Sequence, residues 1–253
     1  MKILHIDIET APNKVYTWGL FNQNVGINQI VESGYTMCFA AKWHGKSKIM
    51  FSGGFGEDGH DEMIESAWNL LDEADVVVHY NGTKFDIPTL NKEFLLLGHT
   101  PPSSYHQIDL LKTMRRKFRF TSNKLDYVAQ QLGLGSKVSH RGMDLWHDCM
   151  TGNKKAQREM MVYNKQDVVL TESLYNEVLP WIEGHPNHAL YTKAGDIVCT
   201  SCGSSHIQKR GFYTTKTQRY QRYQCNDCHS WSRAKRTEIK PADGKNILTG
   251  IQI

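Results

Sequence analysis

The chain has 253 residues, 40% of them hydrophobic and 22% charged, a globular composition with room for one large domain and one small one. No run approaches the ~18 uninterrupted apolar residues of a membrane span. Asp7 and Glu9 stand where a signal peptide needs its apolar core. We therefore expect an intracellular, cytoplasmic protein without membrane contact, its six cysteines reduced or metal-bound rather than paired. The net charge of +4 conceals an asymmetry: residues 1–196 carry 20 Lys and Arg against 23 Asp and Glu, while residues 197–236 carry eight basic residues against Asp227 alone. An acidic body with a basic appendage suggests catalysis in one part and polyanion binding in the other.

In chain order, Ile3 to Glu9 reads as an apolar strand running into two carboxylates. Residues 13–34 show no period and read as a loop excursion. Tyr35 to Trp43 and Ser47 to Phe51 are rich in β-formers on either side of His44-Gly45-Lys46, a hairpin. Gly53-Gly54-Phe55-Gly56 breaks the pattern. Met63, Ile64, Ala67, Leu70 and Leu71 then repeat at helical spacing within 61–74. Val76 to Tyr80 is a short buried strand, Asn81-Gly82 a turn, and Ile87 to Leu97 a helix with Pro88 in its first turn. Helices are also predicted over 109–119 and 125–132, a loop with a short turn near Asp144 over 134–152, and a long helix over 154–178. This order indicates a mixed sheet flanked by helices over 1–183. A linker at 184–196, a small β module at 197–236 and a tail at 237–253 complete the expected organisation.

On a strand, Asp7 and Glu9 point to the same face. Two such acids among Ile and Leu repel each other and resist desolvation, and a divalent cation would relieve both problems. A strand end running into solvent with two surface acids fits the same local pattern. Asp86 stands at a strand-to-helix junction, where it could face a cleft or cap the helix. Tyr163 and Asp167 lie one turn apart on the long helix, an arrangement that an ordinary amphipathic edge would also produce.

Taken in order, Asp7-x-Glu9, Asn81-x-x-x-Phe85-Asp86 and Tyr163-x-x-x-Asp167 resemble the three motifs of the DEDD 3′–5′ exonucleases, in the tyrosine (DEDDy) branch. Tyr80-Asn81 with Phe85-Asp86-Ile87-Pro88 looks most like the proofreading domains of family B DNA polymerases. Thr10, Pro12 and Lys124-Leu125-Asp126-Tyr127-Val128-Ala129 add to the likeness, which covers roughly residues 1–180. It implies an RNase H-like α/β fold and a two-metal mechanism with Mg²⁺ or Mn²⁺. It also implies roles: Asp7 bridges both ions, Glu9 and Asp167 help to hold the ion on the attacking-water side, Asp86 supports the second, and Tyr163 orients the water. Asn81 and Phe85 would contact the terminal nucleotides, with core packing an equally good account of Phe85. The chain after residue 180 is too short for polymerase palm and fingers, so the resemblance implies a free-standing exonuclease. DNA is the expected substrate, in replication or repair. An exoribonuclease, or a non-catalytic module that recruits replication or recombination proteins, is the alternative.

Cys199-x-x-Cys202 and Cys225-x-x-Cys228 are separated by 22 residues, which predicts a Cys₄ zinc ribbon with an extended hairpin and a structural Zn²⁺. Between and beside the knuckles, Arg210, Arg219, Arg222, Tyr220 and Tyr223 mix cations with aromatics, the means by which single strands are held without sequence choice. Arg115 and Arg116 belong to a second basic cluster that would either line the path of the strand or form a solvated helix face.

Overall fold

The computed structural model describes residues 1–55, 59–192 and 195–251. Gly56 of the predicted glycine break, and parts of the predicted linker and tail, lie outside the described residues. Lys2–Tyr175 form one compact unit and Asn176–Ile253 a second.

The first unit is built on strand β1 (Ile3–Thr10), followed by the two-residue β2 (Lys14–Val15) and β3 (Ile30–Glu32). The hairpin strands β4 (Thr36–Trp43) and β5 (Ile49–Gly53), helix α1 (His60–Glu73), β6 (Val76–His79), α2 (Asp86–Leu96) and β7 (His106–Asp109) come next. Helices α3 (Leu110–Lys117), α4 (Leu125–Gln131), α5 (Met143–Met150) and, as far as Tyr175, α6 (Lys154–Val178) complete it. The sheet order is β5-β4-β1-β6-β7, with β1, β4 and β5 antiparallel and β1, β6 and β7 parallel. The mixed sheet is the predicted one, with β1 at its centre.

Alternation along β1 decides what lies on each side. Leu4, Ile6 and Ile8 pack with Phe39, Met63, Ile64 and Leu90, which covers one face with α1 and α2. The opposite face carries His5, Asp7 and Glu9. There Met37, Cys38, Leu145, Cys149, Met160 and Tyr163 form a second core under α5 and α6. Asp7 pairs with Ala40 and Glu9 with Cys38 across β4, small neighbours that leave room beside the carboxylates. Farther down this face, Glu172 accepts from the Gly45 amide at 2.9 Å and pairs with Lys42, while the His5 and His44 rings meet at 3.2 Å. This cluster pins the β4–β5 hairpin to α6.

The structure departs from the sequence reading in three places. Residues 13–34 are not wholly irregular, because β2 and β3 pair at their base and Lys14 bonds Glu32 at 2.6 Å; Trp18, Leu20 and Phe21 remain almost fully exposed beyond it. His106–Asp109, of which only Asp109 falls in a predicted element (the start of a helix), adds the edge strand β7. Met143–Met150, read as loop, is helix α5, anchored by buried Leu145 and Cys149 one turn apart.

In the second unit, β8 (Ile207–Thr214), β9 (Arg219–Cys225) and β10 (Trp231–Arg233) form an antiparallel sheet in the order β10-β9-β8, followed by the short α7 (Pro241–Gly244). The segment read as linker contains a 3₁₀ turn over His188–Tyr191, where the Asn187 side chain accepts from the Ala189 amide at 3.0 Å.

Candidate active site

Helix α6 crosses the acidic face of β1, and its buried stripe explains how. Ala156, Met160, Tyr163, Val168, Leu170, Leu174 and Val178 follow helical spacing, yet fully buried Asn164 and Asp167 interrupt them. Both polar residues point at β1. The Asn164 side-chain amide donates to Asp7 Oδ2 at 2.7 Å and to the Asp7 carbonyl at 3.3 Å. Carboxylate oxygens of Asp7, Glu9 and Asp167 lie within 4.8 Å of one another.

Asp86 reaches the same strand from the other side. The loop from β6 to α2 is rigid: Asn81 takes a left-handed φ of 71°, and a Cβ on Gly82 would meet the His79 ring at 2.4 Å. The Gly82 amide donates to His79 Nδ1 at 3.0 Å, and the Asn81 amide to Asp109 Oδ1 at 2.9 Å. Asp86 opens α2 without capping it, and its Oδ1 instead accepts from the Ile8 amide at 3.1 Å. It is thus tied to the strand between Asp7 and Glu9 but stands outside the three-acid group.

Crowding these acids out of water raises their affinity for protons. Burial, then Asp86, Glu9 and Asp167, hold Asp7 well above the usual carboxylate range. Burial and then Asp167 push Glu9 up to about 8. Burial lifts Asp86 to about 7 despite the opposing Ile8 amide. Asp167 is also raised by burial, although Lys137 and Tyr163 hydrogen-bond to it. The Tyr163 phenol, raised by burial and by Asp167, stays protonated.

Chief among the residues that the sequence reading missed is Lys137. Its Nζ lies 2.6 Å from Asp167 Oδ2, 3.3 Å from the Tyr163 hydroxyl and 5.3 Å from the centre of the Tyr163 ring. Burial opposes its charge, but Asp167 outweighs that and keeps the ammonium protonated. No local pattern marks it, since it sits in a polar loop. Asn164 could have been found, because it lies three residues before Asp167 on the same helical face.

Asp167 Oδ1 is buried with no hydrogen-bond partner among the described residues. An orphaned anionic oxygen beside two further carboxylates, all hard donors, suits Mg²⁺ or Mn²⁺. A groove of about 700 Å³ reaches Asp7 and is also lined by Asn81, Arg115, Lys137, His140 and Tyr163 among others. Asn81 and Arg115 thus adjoin the acids, whereas Arg116, on the same last turn of α3, is not among the lining residues. Phe85 is 44% exposed, which rules out the core-packing account.

The sequence profile of the RNase_H superfamily matches residues 4–179. The chain belongs to the RNase_H superfamily. Among solved structures, its fold is similar to that of the family B DNA polymerase from the hyperthermophilic archaeon Pyrobaculum calidifontis, with a TM-score of 0.51 at 19% identity over 71% of this chain. The match takes in 24% of that polymerase, and at this identity the likeness speaks for the fold alone. A search of curated proteins found no match.

Beyond the matched region, this RNase_H-superfamily chain carries four clustered cysteines. Cys199 and Cys228 Sγ lie 3.5 Å apart and Cys202 and Cys225 Sγ 3.6 Å apart. These separations are far too long for disulfides and close to the ~3.8 Å edge of a tetrahedron with Zn–S bonds of ~2.3 Å. The cluster therefore fits Zn²⁺. On the ribbon sheet the arginines stack on aromatics: Arg219 over Phe212 at 4.7 Å, Arg222 over Trp231 at 4.6 Å and Arg233 over Tyr220 at 4.1 Å. Arg222 also donates to the Arg210 carbonyl at 2.9 Å. Tyr223 pairs with Lys209 across β8 and β9. Among the described residues, no helix is long and apolar enough to cross a membrane.

Proposed function

We propose that this chain is a metal-dependent 3′–5′ exonuclease that hydrolyses phosphodiester bonds of DNA. Residues 1–183 would form the nuclease domain, 184–196 a linker, 197–236 a zinc ribbon that grips nucleic acid, and 237–253 a tail. One observation carries the reading: Asp7, Glu9 and Asp167 converge within 4.8 Å on a nuclease-type fold, with Asp86 tied to the same strand.

Asp7, Glu9 and Asp167, supported by Asp86, would hold Mg²⁺ or Mn²⁺. When bound, a pair of such ions supplies an acidified water and positive charge for the departing 3′ oxygen. The remaining work belongs to the chain. Asn164 fixes the Asp7 carboxylate through its 2.7 Å hydrogen bond. Tyr163, held protonated, orients the attacking water by donating or accepting a hydrogen bond and does not act as the base. Asn81 and Arg115 face the groove where the terminal nucleotide would lie, and exposed Phe85 is free to stack on a base. In the ribbon, guanidinium groups braced on aromatic rings would meet phosphates along the strand, with Arg210, Arg219, Arg222, Tyr220 and Tyr223 as its contacts.

The choice of DNA over RNA rests on the motif resemblance, as does the expectation of replication or recombination proteins as partners. Digestion of 3′-labelled and 5′-labelled single-stranded DNA and RNA, in Mg²⁺ and in EDTA, tests the reading. We expect early release of the 3′ label, a shortening ladder from the 5′-labelled DNA, slower loss of RNA and no products in EDTA. Equal or faster RNA loss would replace the substrate, and internal cuts would replace the exonuclease assignment.

A further inference from the structure

Lys137 adjoins the carboxylates that would hold a metal. Its ammonium touches Asp167 Oδ2 at 2.6 Å and the Tyr163 hydroxyl at 3.3 Å, and its charge also acts on Asp7, Glu9 and Asp86. The side chain is positioned from its own loop: the Lys137 amide donates to Asp126 Oδ1 at 2.7 Å, and Asp126 is held in turn by Gln130 at 2.8 Å. Gly135 and Gly142 bracket this loop with left-handed φ values of 108° and 65°, conformations that L side chains rarely adopt. Between them, His140 packs edge-on against Tyr163 at 4.9 Å and Trp146 at 5.1 Å. The loop is therefore fixed at Asp126 and His140, and the lysine between these anchors is directed into the acids.

We propose that Lys137 is a built-in counter-ion that occupies the acidic site in the absence of metal and must be displaced from Asp167 when a divalent cation binds. The geometry has two consequences. The body tolerates its crowded carboxylates without metal because an ammonium already pairs with one of them, Asp167. Metal loading also releases that amine into the groove lined by Asn81, Arg115 and Tyr163. The inference rests on the reading of Asp7, Glu9 and Asp167 as metal ligands.

The test is Mn²⁺ titration of the full-length, zinc-loaded protein at pH 8 by calorimetry, comparing wild type, Lys137→Met and Asp7→Asn. Removing a competing ammonium should tighten Mn²⁺ binding by about tenfold in Lys137→Met, the scale of a partly buried ion pair. A lysine with a merely structural role would leave the affinity unchanged or weaken it. Wild-type protein gives a second readout that needs no folded variant: amine acylation of Lys137, followed by mass spectrometry, should accelerate as Mn²⁺ saturates. Unchanged Mn²⁺ affinity in Lys137→Met, or a Lys137 acylation rate indifferent to bound Mn²⁺, overturns the inference. If Asp7→Asn binds Mn²⁺ as tightly as wild type, the metal-ligand reading itself fails instead.

Discussion

The two units gather mutually repelling side chains by opposite means. In the body, Asp7, Glu9, Asp86 and Asp167 are held by a five-stranded sheet with packed helices, on a strand whose other face is Leu4, Ile6 and Ile8. In the ribbon, four cysteines gather beside a three-stranded sheet, only Cys225 lying within a strand, and β8 is exposed along all but its first residue. Apolar burial in the body, with the Lys137 ammonium on Asp167, holds the acids close together before any metal ion arrives. The ribbon has too little core to do the same for four thiols. Metal should therefore bind a finished site in the body and complete the fold in the ribbon.

The largest expected effect is on the ribbon. Structural zinc in small modules contributes on the order of 10 kcal/mol of folding free energy, so Cys199→Ser should unfold residues 197–236 while the body persists. Amide exchange followed by mass spectrometry checks this: β8 and β9 should lose protection, and β1 and β6 should keep it. Protected β8 amides in the variant would break the contrast.

A smaller effect, with a defined sign, concerns the metal-free body. Glu9 and Asp86 titrate near 8 and 7 in the folded chain against roughly 4 when unfolded. The folded state therefore holds extra protons between those values, and stability must fall as pH rises from about 4 to about 8. Urea denaturation monitored on the body should show that decline without divalent ions and lose it in Mn²⁺. A flat metal-free profile would mean that the acids are not crowded.

Asp7→Asn sharpens the same point. Asparagine keeps an acceptor for Asn164 and removes one of the repelling charges, so the metal-free variant should be more stable than wild type by about 1 kcal/mol. Thermal unfolding in EDTA checks it, and a lower melting temperature would contradict it. The smallest effect belongs to the ribbon surface. Arg222→Ala should weaken binding to single-stranded DNA several-fold and lower the slope of log affinity against log salt by roughly 0.7, the loss of one phosphate contact. An unchanged slope would remove Arg222 from the nucleic-acid surface.

Much of the fold and site was legible because the chemistry interrupts strong periodic patterns. Asp7 and Glu9 stand out on an apolar strand, whereas Asp86 and Asp167, each compatible alone with a helix cap or an amphipathic edge, were legible through the order of the three motifs. The four cysteines announce themselves by spacing. What escaped lacks such contrast. In β7, His106 and Gln107 are exposed and only Ile108 and Asp109 are buried, too short a run for alternation to register. In α5, Leu145 and Cys149 alone are buried, one helical pair between loop-like glycines. Lys137 could not be read at all, because its place beside Asp167 depends on a loop folding back to Asp126. The arginine–aromatic stacks of the ribbon depend likewise on the cross-strand register of β8, β9 and β10.

The central claim is that the converging acids make this chain a metal-dependent exonuclease, and side-by-side digestion by wild type and Asp7→Asn tests it most directly. On 5′-labelled single-stranded DNA in Mg²⁺ or Mn²⁺, wild type should shorten the strand stepwise from its 3′ end. Asp7→Asn, folded by circular dichroism, should leave it intact over the same period. A variant that digests DNA as fast as wild type, or a wild type that is inert with both ions, would contradict the account.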